Sequence, residues 1–117
     1  MRHVALSCVL FILALSAPSL AGNVELGNSG WRWISGDAYT LTASWEVDVI
    51  NNTNLSFYVD AQCDFLDGDG YIVGSDYAFN QFVRPGHNML RGQRSFWRTE
   101  ASQIHSASIR VSQSVTH

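Results

Sequence analysis

Residues 39–49 read YTLTASWEVDV. Tyr39, Leu41, Ala43, Trp45, Val47 and Val49 alternate with Thr40, Thr42, Ser44, Glu46 and Asp48. Successive side chains of an extended chain point to opposite faces, so this stretch has one apolar and one polar side. A helix would space its apolar residues three and four apart; here they are two apart. The stretch predicts a long β-strand, half against a core and half against water, of a length that invites a bend or a bulge. It ends at Asn51-Asn52-Thr53-Asn54, side chains that bond nearby backbone and favour turns.

The same alternation continues outward. Phe57, Val59, Ala61, Cys63 and Phe65 alternate with Tyr58, Asp60, Gln62 and Asp64. Tyr71, Val73, Tyr77 and Phe79 share a parity, with Gly74 opposite as a bulge position. Val83-Arg84-Pro85-Gly86 is a turn, since Pro presets φ and Gly accepts a positive one. A weaker strand follows over Met89 to Trp97, interrupted by Gly92, and a last one over Ile104 to Val111, with Ala107, Ile109 and Val111 on one face. Upstream, Trp31 to Ile34 forms a short strand and Asn23 to Gly30 a lead-in. No useful stretch has a helical period. About six to seven strands separated by turn signals predict an all-β chain, a single antiparallel β-sandwich with its core between 31 and 112. Odd-numbered side chains from 39 to 79 are expected to interlock in its interior.

Met1-Arg2-His3, the apolar run Val4 to Leu15, and Ser16-Ala17-Pro18-Ser19-Leu20-Ala21 form the three parts of a secretory signal peptide. Residues 1–21 are therefore expected to be removed, leaving a domain over 22–117 without a transmembrane anchor, exported to the periplasm or the extracellular space. Most of the apolar run follows Cys8, which sets aside a lipoprotein reading. Cys63 is the one thiol left after cleavage, so no internal disulfide forms. It falls on an apolar face and reads as a small hydrophobe rather than a nucleophile. Stability must come from burial, to which Trp31, Trp33, Trp45 and Trp97 contribute large surfaces.

Charge is unevenly spread. Residues 22–83 carry nine acids against Arg32, and residues 84–117 carry five arginines against Glu100. The net acidity excludes non-specific nucleic-acid binding. Early acidic strands either pair with late Arg-bearing strands across a sheet or leave a charged patch for a partner.

The run WEVDVINNTN (45–54), VDAQCDFLDGDGYIVG (59–74) and VRPGHNMLRGQRSFW (83–97) resembles the FxLYD-type domains, small Ig-like or fibronectin-like sandwiches on exported prokaryotic proteins. The likeness extends from about Tyr39 to Val111. It implies a non-enzymatic exported module without cofactor or catalytic residues.

Several clusters remain as candidate chemistry. In CDFLDGDGYIVGSD (63–76), Asp67, Asp69 and Asp76 fall at positions 3, 5 and 12 of an EF-hand-like loop, with Asp64 nearby. Position 1 is Phe, position 12 is too short for a bidentate Glu, and no helices flank it. Asp-Gly between apolar alternations instead predicts a hairpin. Trp31 and Trp33 share a strand face and either close the core or stack on a sugar. Tyr58, between polar neighbours, is the better exposed aromatic. Arg91, Arg94 and Arg98, interleaved with Phe96 and Trp97, form an anion patch or pair with neighbouring acids. His87, His105 and His117 match no metal spacing. Asn51-Asn52-Thr53 and Asn54-Leu55-Ser56 fit the glycosylation sequon. These residues predict protein binding or self-association as the function, with carbohydrate binding through exposed aromatics, or weak calcium binding at 64–76, as alternatives.

Overall fold

The computed structural model describes residues 23–114. The expected signal peptide, residues 1–21, and His117 lie outside them. Six strands form in chain order: β1 (Val24–Gly36), β2 (Thr40–Asn51), β3 (Phe57–Leu66), β4 (Ile72–Val83), β5 (Gly86–Trp97) and β6 (Ser106–Gln113), with a one-turn helix α1 (Arg98–Ala101) between the last two. They make two antiparallel three-stranded sheets, ordered β1-β2-β5 and β4-β3-β6. No helix among the described residues is long and apolar enough to cross a membrane.

The long alternation becomes β2, the centre of the first sheet. Ala43, Trp45, Val47 and Val49 are buried, and Glu46 is exposed. Val59, Ala61, Cys63 and Phe65 line the facing side of β3, centre of the second sheet. Phe96 of β5 meets Phe65 edge to face, ring centres 5.2 Å apart. The apolar sides of the two sheets thus enclose one core, as in a β-sandwich.

The expected interior is corrected at the odd positions Tyr39, Leu55, Asp69, Tyr71, Tyr77 and Phe79, all exposed. Tyr39 and Tyr71, each 73% exposed, fall just outside β2 and β4, where no facing sheet covers them. Tyr77 and Phe79 lie within β4 but point outward. Phe65, Cys63 and Ala61 face Gly74, Asp76 and Ala78, which sets the inward parity of β4 to even numbers over this stretch. The reason is volume. A Cβ on Gly74 would lie 2.7 Å from the Phe96 ring, and Asp76 accepts the Trp45 indole N–H at 2.7 Å. Large groups of the opposite sheet fill that space, and only small or bonding side chains fit beneath them.

Other boundaries shift as well. The expected lead-in is part of β1, paired with β2 from Val24 onward. Gly92 does not interrupt β5, whose register with β2 runs unbroken; it lets Trp45 come close. The bulges fall on the edge strands β1 and β4, and the irregularity expected near Gly74 is one of them. Helix α1 went unpredicted because one turn has no period to read. Its start is held by the Trp97 N–H donating to Glu100 Oε1 (3.2 Å), and its end by the Ser102 N–H donating to the Arg98 carbonyl (3.0 Å).

The Asn-rich turn is held from inside. Asn51 is buried; its Nδ2 donates to the Leu55 carbonyl (2.7 Å), and its Oδ1 accepts from the Thr53 N–H (2.9 Å) and Oγ1 (2.7 Å). The side chain of the first sequon is thereby committed to the fold, while Asn54 of the second is exposed.

Candidate binding face

The outer surface of the β4-β3-β6 sheet carries the aromatics that the core excludes. Tyr58 on β3 sits opposite Phe82 on β4, rings 5.2 Å apart. Tyr77 and Phe79 stack along β4, 5.3 Å apart and 8° from parallel. All four are 48–60% exposed.

Tyr77 and Phe79 are odd-numbered and Phe82 even, so a regular strand could not present all three on one side. A bulge makes it possible. Between the pairs Ala61↔Ala78 and Val59↔Gln81, β4 spends one residue more than β3. Asn80 takes the left-handed conformation there, with φ 55°, which Asn tolerates better than most residues. Its N–H donates to Asp60 Oδ1 at 2.9 Å, and Ser114 Oγ donates to the same oxygen at 2.7 Å. Asp60 thus ties the bulge of β4 to the end of β6. After it the parity reverses: Val83 turns into the core and Phe82 turns out.

Beside the aromatics lies a polar cluster. Asp64 is 6% exposed although its side chain belongs to the outer face. It accepts from Gln62 Nε2 (2.8 Å) and Ser75 Oγ on one oxygen and from Arg110 (3.2 Å) on the other. Three strands meet at this carboxylate, so it serves the sheet before any ligand.

The remaining candidates disperse. Trp31 and Trp33 are half-buried on β1, in edge contact with Phe65 (5.7 Å) and Phe96 (6.2 Å), and close one side of the core. Arg91 lies on the outer face of the other sheet near Glu46 (3.7 Å). Arg94 turns inward, caps the Phe96 ring at 4.8 Å and donates to the Ser75 carbonyl of β4. Arg98 opens α1 and donates to the Asp37 carbonyl (2.6 Å). These three do not form one patch. The Arg91–Glu46 and Arg110–Asp64 contacts instead link late cations to early acids across the sheets, and His87 Nδ1 lies 2.8 Å from Asp48 Oδ2.

The four aspartates of the EF-hand-like reading also separate. Asp67 Oδ1 accepts the N–H groups of Asp69 and Tyr71, both at 2.9 Å, which closes a hairpin. Asp76 is bound to Trp45 and Asp64 to Arg110. Among the described residues, no three His, Cys, Asp or Glu side chains converge as a metal site. Cys63 is fully buried; burial, reinforced by the charges of Asp64 and Asp76, pushes its thiol far above the ordinary range, so it stays protonated and unreactive.

Of the sequence candidates, only Tyr58 belongs to the exposed aromatic face. Tyr77, Phe79 and Phe82 were missed. The one available signal was the even series Gly74, Asp76, Ala78, whose small or polar members could have marked the crowded inner side. Compared with protein-family models and with curated proteins, the sequence matches none.

Proposed function

We propose that this chain is a non-catalytic, exported binding module that engages a protein partner through the outer face of β4-β3-β6. One observation carries the reading: four aromatic rings stand half-exposed in two contacting pairs on one sheet face. Tyr and Phe are enriched where proteins meet, and a contiguous exposed apolar patch is uncommon without a partner. The bulge that turns Val83 into the core also turns Phe82 to the face that carries Tyr77 and Phe79. The strand order β1-β2-β5 over β4-β3-β6 supports an Ig-like or fibronectin-like sandwich and is compatible with the FxLYD-type resemblance. The signal-like first 21 residues support export to the periplasm or the extracellular space.

The test is site-specific photo-crosslinking in the producing cell, with the probe at Phe79 or at Glu46 on the opposite outer face. The reading expects a discrete adduct from Phe79, none from Glu46, and loss of the adduct in a Tyr77→Ser variant. Equal labelling from both faces would refute it. The parallel Tyr77–Phe79 stack favours one second reading, carbohydrate binding, because flat rings beside hydrogen-bonding side chains can hold a sugar. Retardation in polysaccharide-containing gels that Phe79→Ser abolishes would select it.

A further inference from the structure

We propose that two copies of this chain join edge to edge through β6, in an antiparallel pair with Ile109 opposite its own copy. Among the described residues, the four sheet edges are unlike one another. β1 and β4 carry bulges, which disrupt edge pairing. β5 is drawn against β4 by the Arg94 bond to the Ser75 carbonyl. β6 keeps an unbroken register with β3 over all eight residues and contains neither Pro nor Gly. Its single charge, Arg110, is paired with Asp64 on β3 at 3.2 Å. The seam along β6 is also the more open one: β4 packs against β5 far more extensively than β1 against β6. Along that seam Trp31 and Ile109 are only half-covered.

The backbone polarity of β6 is fixed by its pairing. The register places Ser114 opposite Tyr58, and the Ser114 N–H donates to the Tyr58 carbonyl at 3.0 Å. Even-numbered residues of β6 therefore turn their N–H and C=O toward β3, and Ala107, Ile109 and Val111 turn theirs to the open edge. A two-fold axis at Ile109 pairs Ile109 with itself and Ala107 with Val111, forming roughly six hydrogen bonds. It also keeps apolar side chains on the core side and sets Arg110 opposite Ser108. Centring on Arg110 would oppose two arginines, which is destabilising. Centring on Ser108 would recruit His105, whose N–H is already given to the Leu66 carbonyl (2.7 Å). Self-complementarity of this strand, not apolarity alone, selects a second copy as the occupant.

Analytical ultracentrifugation of the purified protein tests this. The expected species is a dimer. Ala107→Pro removes an edge N–H without touching the β3 ladder and should give a monomer whose circular dichroism is unchanged. Ser108 is exposed, and in the stated register it faces Arg110 of the other copy. Ser108→Glu should tighten the dimer and Ser108→Arg loosen it, each by roughly two- to thirtyfold, because the pair occurs twice per dimer. Phe79→Ser should leave the dimer intact, separating this edge from the aromatic face. A monomer at about 100 μM, a dimer indifferent to the sign of charge at 108, or a monomer that instead takes up a foreign strand at β6 would each overturn the proposal.

Discussion

Replacing Gly92 by Ala puts a methyl group where the two sheets are tied. The new Cβ would lie 2.5 Å from both Trp45 Nε1 and Asp76 Oδ2, the two atoms that share the 2.7 Å hydrogen bond between β2 and β4. Trp45 is 1% exposed and cannot swing into solvent. The methyl must therefore part the pair. A buried indole N–H left without its acceptor costs about 1–3 kcal/mol, and forcing an extra carbon into a filled core costs about 1–3 kcal/mol. Removing a glycine from a strand returns only about 0.5–1 kcal/mol. The expected net loss is about 1–5 kcal/mol, a large share of the stability of a domain this size. Urea unfolding followed by Trp fluorescence would show it as a lower midpoint with an unchanged slope. The Trp45 indole N–H resonance should move with it. Asp76→Ala deletes the same bond, so Gly92→Ala and Asp76→Ala should be markedly less than additive. A loss below about 0.5 kcal/mol for Gly92→Ala, or strict additivity of the two, would refute the reasoning.

Three further outcomes follow from the same geometry. Asn51→Ala should cost about 2–4 kcal/mol in denaturant unfolding, since it strips buried partners from the Leu55 carbonyl and the Thr53 N–H together. Phe79→Ser should change stability by no more than about 0.5 kcal/mol, since that ring is exposed, while abolishing partner capture. Asp37 accepts the N–H groups of Tyr39 and Thr40, which hold its carboxyl below the ordinary carboxylate range, so an NMR titration should find it ionised at unusually low pH. Its folded value is depressed, so its contribution to stability is present above the unfolded value of about 3.9 and fades as pH falls through the folded one.

The alternation over 39–49 was sufficient to define β2 and its buried side, because a period of two with consistent polarity has a single solution when one face is wet. The same held for β3, and the Asp-Gly hairpin was legible from its turn residues. Strand β4 was not. Its odd face carries Tyr and Phe and its even face Gly, Asp and Ala, so hydrophobicity along the strand points to the wrong side. What decided the matter was the volume of Trp45 and Phe96, which belong to the other sheet and are remote in sequence. The bulge at Asn80, which gathers Tyr58, Tyr77, Phe79 and Phe82 on one surface, depends likewise on Asp60 of β3 reaching across. Local periodicity determined which segments extend, the part of β1 before Trp31 excepted; packing between sheets determined which of their faces water sees, because occupied space is a property of neighbours that a single strand does not encode.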